Sequence, residues 1–404
     1  MVSGCFVVLA VSSGLGFYGL AVYLNALSKE KGWDVSSISL ATTFFFVVGG
    51  VAGVWVAQLI DRHDLRRIVV AGGLLGGVSL GLLGRVEALW QLFAVYGIFA
   101  VGFAAAGLVP MTTVVTRWFH RRRSVALSVA STGLSAGGIV LTPAAKWWLD
   151  REGLAAGMPL IGGAFAVGIV PITIWLIRPD PADDGWLPDG ERTDPGIVRS
   201  PPFGTPYREA VRSRFFVAVT VAYVLALGSQ VGAIQQLVRL VEQRTDADTA
   251  ALATLALAAT SVVARLIGGR LVAVVPMIGF TAALCVIQTV ALVWLGFATS
   301  TPAIFAAIVL LGATVGNILM LQPLLIAERF GVVDYAAIYS RAQLLGLAGT
   351  AGGPILLGGL FDATGGYEWP YVVAGALTLL GAGFVLLAGP AERPVDTRRP
   401  AVVR

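Results

Sequence analysis

Apolar residues in this chain neither alternate along short strands nor stripe one face of surface helices. They run almost unbroken for the thickness of a bilayer between short charged joints. The pattern predicts twelve transmembrane helices, near 4–27, 36–60, 68–84, 88–116, 124–147, 155–177, 214–238, 249–271, 276–298, 302–327, 336–361 and 369–389. The alternating ten-residue segments of an outer-membrane barrel are absent, so the expected class is an all-α polytopic membrane protein. Between the sixth and seventh spans, Arg178 to Arg214 is hydrophilic, rich in proline and acids, and too poor in apolar surface to build a domain. The expected organisation is therefore an N-terminal six-helix half at 1–177, a linker at 178–213, a C-terminal six-helix half at 214–390 and a tail at 391–404. The chain enters its first apolar run by Gly4 with no basic segment ahead of it, which reads as a first span rather than a signal peptide.

Composition agrees. Of 404 residues, 57% are hydrophobic and 13% charged, whereas a soluble domain carries about 25% charged residues. The net charge of +5 would by itself suit a nucleic-acid partner, but its placement argues against one. With both termini in the cytoplasm, 19 of the 28 basic residues fall in cytoplasmic segments and five in outer loops. That is the positive-inside bias of a multi-pass plasma (inner) membrane protein in the lipid bilayer. Cys5 and Cys285 sit inside apolar runs and offer neither a disulfide framework nor a metal site. No Gly-Lys-Ser/Thr phosphate loop occurs, so no cofactor and no enzymatic activity are expected.

The two halves resemble one another. Asp150-Arg-Glu-Gly153 after the fifth span matches Asp362-Ala-Thr-Gly365 after the eleventh, and Ser135-Ala-Gly-Gly138 recurs as Thr350-Ala-Gly-Gly353. Parallel repeats around a central linker are the plan of a rocker-type transporter with its site between the halves.

The loop after the second span reads Ala57-Gln-Leu-Ile-Asp61-Arg62-His63-Asp64-Leu65-Arg66-Arg67. It resembles the major facilitator signature G-x-L-x-D-R-x-G-x-R-R, with Ala57 and Asp64 in place of its glycines. A carboxylate at a helix end can bond to a neighbouring helix in one conformation and release it in the other, so Asp61, Arg62 and Arg66 are expected at a cytoplasmic gate. Further segments resemble the monocarboxylate porter branch, near the oxalate and formate exchangers: Lys31-Gly32-Trp33-Asp34, the run from Arg117 to Ala126, Val263-Ala264-Arg265, and Gly353-Pro354 followed by Phe361-Asp362-Ala-Thr364-Gly365-Gly366-Tyr367.

Arg265 stands well inside the eighth span, where an arginine costs at least about 2.5–3.5 kcal/mol and normally faces a partner or a wet cavity. The resemblance implies that it holds the substrate carboxylate, for which a guanidinium fork is matched. Arg341, in the eleventh span, is either an auxiliary cation, as the paired cations of oxalate and formate exchangers imply, or an end anchor. Tyr18, Gln236 and Asn317 complete the expected pocket, each of them open to the alternative of a helix-packing contact. No Asp or Glu stands mid-span, so coupling is expected through the anion's own charge or protonation, with protons as optional partners, or through exchange. The expected activity is secondary transport of a small organic anion, a monocarboxylate first, by a monomer. The rivals are a proton-coupled exporter of amphiphiles and a non-transporting membrane sensor.

Overall fold

The computed structural model of the chain describes residues 1–190 and 204–391; the middle of the linker and nearly all of the tail lie outside the described residues. Span 1 runs Val2–Lys31, span 2 Val35–Ile60, span 3 Leu65–Leu83 and span 4 Leu89–Trp118. Spans 5 and 6 share one helical run, Arg123–Leu176, broken at Gly153, where φ is 72°. Unbroken, 54 residues would reach about 81 Å, far beyond a hydrocarbon core of about 30 Å. The chain instead folds back, bringing Gly157 against Leu149, and the Glu30 carboxylate accepts the freed Leu154 N–H at 3.0 and 3.1 Å. Span 7 is Arg214–Arg244, span 8 Ala247–Leu271, span 9 Met277–Phe297, span 10 Thr301–Phe330, span 11 Tyr335–Thr364 and span 12 Glu368–Ala388.

All twelve spans stand where the apolar pattern puts them, and several are longer by a turn or more. Hydrophobicity marks only the part of a helix inside the bilayer. The helix itself continues until a residue leaves the α region, as at Gly32, Gly331 and Gly365, each with positive φ.

The packing repeats as the sequence does. In the first half, Gly14 of span 1 lies against Gly137 of span 5, and Gly133 and Gly137 press on the backbone of Phe6 and Ala10. In the second half, Gly228 and Gly232 of span 7 lie against Gly349 and Gly353 of span 11. At both seams only hydrogen fits, because a neighbouring carbonyl occupies the space of a Cβ.

Both ends of the chain's described part gather where the linker begins, with the Arg178 N–H on Met1 Sδ at 3.2 Å and an Arg329 guanidinium N–H on the Pro390 carbonyl at 3.4 Å. This end is called the linker face, and the opposite one the far face. The linker's first part is tied to the N-terminal half: Trp118 Nε1 donates to the Arg178 carbonyl at 2.7 Å, and the Asp189 carboxylate accepts the N–H groups of His120, Arg121 and Arg122. Its last part is tied to the other half, with the Thr205 N–H on the Phe330 carbonyl at 2.8 Å and the Tyr207 N–H on Asp334 Oδ2 at 2.7 Å.

The apolar core is divided unequally. One continuous cluster fills the N-terminal half and reaches into the linker-side part of the other half, through Phe215, Leu321, Leu325 and Tyr339 among others. A second cluster, built around Leu237, Leu292, Ile308 and Tyr371, lies in the far-side part of the C-terminal half and contains no residue of the first half. The halves thus meet near the linker face and part toward the far face.

The seams yield a stability prediction. Gly137→Ala should lower the thermal midpoint in detergent by several degrees, the overpacking cost being about 1–3 kcal/mol. Gly163→Ala, where a Cβ meets nothing within 4 Å, should leave that midpoint unchanged.

Candidate functional site

Span 8 crosses span 5 of the other half on small residues. Gly269 lies on Ser128 and on the Ser124 carbonyl, and Ser128 Oγ donates to the Arg265 carbonyl at 2.6 Å. This close approach carries the Arg265 side chain into the interface, where it is 2% exposed. Its Nε donates to the Gly316 carbonyl of span 10 at 3.0 Å, and its Nη1 donates to the Ser131 carbonyl of span 5. The other three N–H groups meet no acceptor, and no carboxylate lies within 4.0 Å, among the described residues. The guanidinium is therefore held by carbonyl dipoles alone, buried with its positive charge unneutralised.

Span 1 supplies the facing residue. From Ser12 to Phe17 it winds as a π-helix, and the Tyr18 N–H bonds the Ser13 carbonyl five residues back at 2.9 Å. The wide turn re-aims the side chains that follow it. Tyr18 lies flat on Gly138 of span 5, within electrostatic reach of Arg265. It is deep in the bundle yet 43% exposed, so it lines the cleft between the halves. Asn317 completes the group: its Nδ2 donates to the carbonyls of Ala264 and Ala313 at 3.0 and 2.9 Å, holding the turn that carries Arg265. Its Oδ1, like the hydroxyl of Ser261 one turn before Arg265, is buried without a hydrogen-bond partner among the described residues.

Arg265, Tyr18 and Asn317 thus come together. Gln236 stands apart from them. Gln236 lies beside Gly358 where spans 7 and 11 pack, continuing the seam of Gly228 and Gly232. Arg341 is exposed, although it lies about 9 Å from the linker-side end of its helix, the same depth as Arg265.

On the linker face the loop residues divide their work. Arg66 Nε donates to the Ile177 carbonyl at 3.2 Å within its own half, whereas Arg62 is exposed. Asp61 is exposed on this face, within electrostatic reach of Asp334 of the other half. Partial enclosure raises its pKa above the usual carboxylate value, the like charge of Asp334 raises it further, and Arg117 opposes both. The tie across the halves is made elsewhere. Arg123, which opens span 5 and is 5% exposed, bonds Glu328 of span 10 at 2.9 Å, with further bonds to the carbonyls of Phe119 and Thr116. Sequence reasoning counts Arg123 only as a loop charge. Its place at a helix start, on the same face as Glu328 at a helix end, is the available signal. Ser131 and Gly316 act through backbone carbonyls and leave no sequence signal at all.

A twelve-helix bundle of two like halves, sealed at one face around a buried cation and parted at the other, has the architecture of a secondary transporter. The family model of the Major Facilitator Superfamily matches residues 6–340, and the chain belongs to that superfamily; it is a transporter and not an enzyme. A monocarboxylate transporter 13 from Bos taurus is 26% identical over 404 residues, covering 95% of this chain and 88% of the relative. The MFS transporter asaE from Aspergillus flavus is 26% identical over 357 residues, covering 87% of this chain and 76% of the relative. Among solved structures, a variant of the E. coli fucose:proton symporter FucP superposes with a TM-score of 0.74 at 14% identity over 96% of this chain and 97% of that one. The human organic anion transporter MFSD10 (TETRAN) gives 0.72 at 14% identity over 95% and 98%. These two establish the fold alone.

The Asp61 environment sets a pH dependence. A carboxyl whose pKa is raised here binds its proton more tightly in this conformation than where the faces part. Acidification should therefore favour the linker-closed state, and that gain should be lost as pH rises through the Asp61 pKa. Spin labels on His63→Cys and Arg270→Cys should report shorter distances as pH falls. Asp61→Asn should abolish the dependence.

Proposed function

We propose that this protein carries a small organic anion, a monocarboxylate first among the candidates, by alternating access, with Arg265 as the carboxylate ligand. The single observation that carries this reading is the buried guanidinium of Arg265, which has three unengaged N–H groups and no acidic partner among the described residues. A cationic substrate would be repelled there, whereas a carboxylate accepts two parallel N–H bonds and neutralises the charge. Tyr18 lies on the open side and would offer its hydroxyl to the same anion, while Asn317 holds Arg265 in place. Arg341 would add a second cation for substrates with two carboxylates, and Gln236 would touch those that extend into the span 7–11 seam. The bovine relative, named as a monocarboxylate transporter, leans the same way.

In this reading the anion enters from the far face and meets Arg265. The anion takes the unengaged N–H groups while the Ser131 carbonyl keeps its own, so one guanidinium serves both the anion and the contact between spans 5 and 8. Arg62 and Arg66 would keep the linker-face loop in register while Asp61 and the Arg123–Glu328 pair part. Arginine placement supports assigning the linker face and both termini to the cytoplasm in the plasma (inner) membrane. A membrane-buried acid for proton coupling is absent from the sequence, so a proton would travel on the anion itself or the carrier would exchange anions. The carrier is proposed to work as a monomer, since the cleft is assembled from both halves of one chain.

Uptake of acetate, lactate, pyruvate and oxalate into proteoliposomes tests the assignment. Arg265→Lys, which keeps the charge and loses the fork, should reduce transport at least about tenfold, and Arg265→Ala should abolish it while the purified protein stays folded by thermal melt. Arg341→Ala should impair oxalate more than lactate. Undiminished lactate, pyruvate and oxalate uptake by folded Arg265→Ala would refute the reading.

A further inference from the structure

Three tyrosines, none used in the reading above, form a buried column beside the linker-face seal. Tyr335 and Tyr339 of span 11 stack with ring centroids 5.6 Å apart and planes at 19°. Tyr339 is coupled electrostatically to both Tyr335 and Tyr223 of span 7, so it stands between them. Tyr335 reaches across to the other half, beside Thr112 of span 4 and within reach of Arg123. All three are essentially inaccessible, and all three hydroxyls lack a hydrogen-bond partner among the described residues. The neighbouring Thr112 hydroxyl donates to the carbonyls of Leu108 and Val109. The amide of Gln322 in span 10 is buried with neither polar atom paired among the described residues.

Depth along the helices orders these groups. Tyr335 starts span 11, and Tyr339 lies one turn, about 6 Å, further in. Tyr223 is nine residues into span 7 and Gln322 eight residues from the end of span 10, depths of about 12–14 Å. Arg265 lies about 9 Å from its helix end. Tyr335 and Tyr339 therefore lie between the linker-face mouth and the depth of Arg265, and Tyr223 lies about 4–5 Å deeper. Nearly all buried polar groups in folded proteins are paired, so several unpaired donors at one contact mark a surface built for a different partner in another conformation.

We propose that Tyr335 and Tyr339 line the linker-side half of the translocation path, with Tyr223 at its inner end, their hydroxyls forming a second station for the substrate's carboxylate once the linker face opens. The identity of the ligand rests on the organic-anion reading; the existence of the path does not. Phenols donate to a carboxylate without holding it as a guanidinium does, which suits a station from which the anion leaves.

The test uses Tyr339→Phe, Tyr335→Phe and the double variant of the full chain. Without substrate, removing a hydroxyl that is unpaired when closed and hydrated when open should shift spin-label distances between His63→Cys and Arg270→Cys toward the closed form, with an unchanged or higher thermal midpoint. With the acetate, lactate or pyruvate that the parent carries fastest, KM from the linker side should rise at least about fivefold while KM from the far side stays within about twofold, the scale of one lost hydrogen bond. A lowered midpoint would show packing roles, and unchanged distances would show hydroxyls with no part in opening; either overturns the path. Shifted distances with equal changes in KM on both sides would overturn the carboxylate station alone. If none of the three anions is carried, the substrate reading fails, and the ligand-free distances still decide the path.

Discussion

A guanidinium taken out of water must be answered by hydrogen bonds, and in this protein the answers come from backbone carbonyls of two other helices. Nε binds span 10 and Nη1 binds span 5, so one side chain of span 8 fixes the relation of three helices and joins the two halves. The charge itself is left uncompensated. That combination, structural satisfaction without electrostatic satisfaction, ties the two halves together and is the basis of the proposed anion site.

The seal depends in turn on how closely helices can approach. Carbonyls are within reach of Arg265 because Gly269, Ser128 and Gly316 present almost no side chain at the crossings. The same device recurs at the seams between spans 1 and 5 and between spans 7 and 11, where paired glycines let two rigid helices move as one. Each half is thus stiff within itself, and the weaker contacts lie between halves. Polar ties between the halves are concentrated on one face, Arg123 with Glu328 and Ser128 with the Arg265 carbonyl, beside the apolar cluster that the halves share there. The like charges of Asp61 and Asp334 oppose that closure.

The linker extends this division of labour. Its beginning is bonded to the loop before span 5 and its end to the loop before span 11, each within the half it adjoins. These two loops are repeat-related, and Arg123 and Glu328 sit beside them. Anchors of this kind hold the chain close to the halves without bridging the contact that must break.

Much of the architecture was legible from hydropathy because a bilayer imposes a length on every apolar run and satisfies no backbone group within it. Twelve spans, the central linker, the repeat and the family signature are all local or periodic features. Arg265 was legible for a related reason, since burying an arginine in a span is costly enough to signify by itself. Its neighbours were not. Tyr18 depends on a π-turn that shifts the helical register, and Gly228 and Gly232 form a packing seam leading to Gln236. Ser131 and Gly316 contribute carbonyls that every residue possesses. The sequence by itself determined which segments cross the membrane and where a buried cation would lie, because both follow from the cost of polarity in lipid. Only the tertiary structure decided which helices answer that cation, which face is sealed and which hydroxyls are left unpaired, because these depend on contacts between residues far apart along the chain.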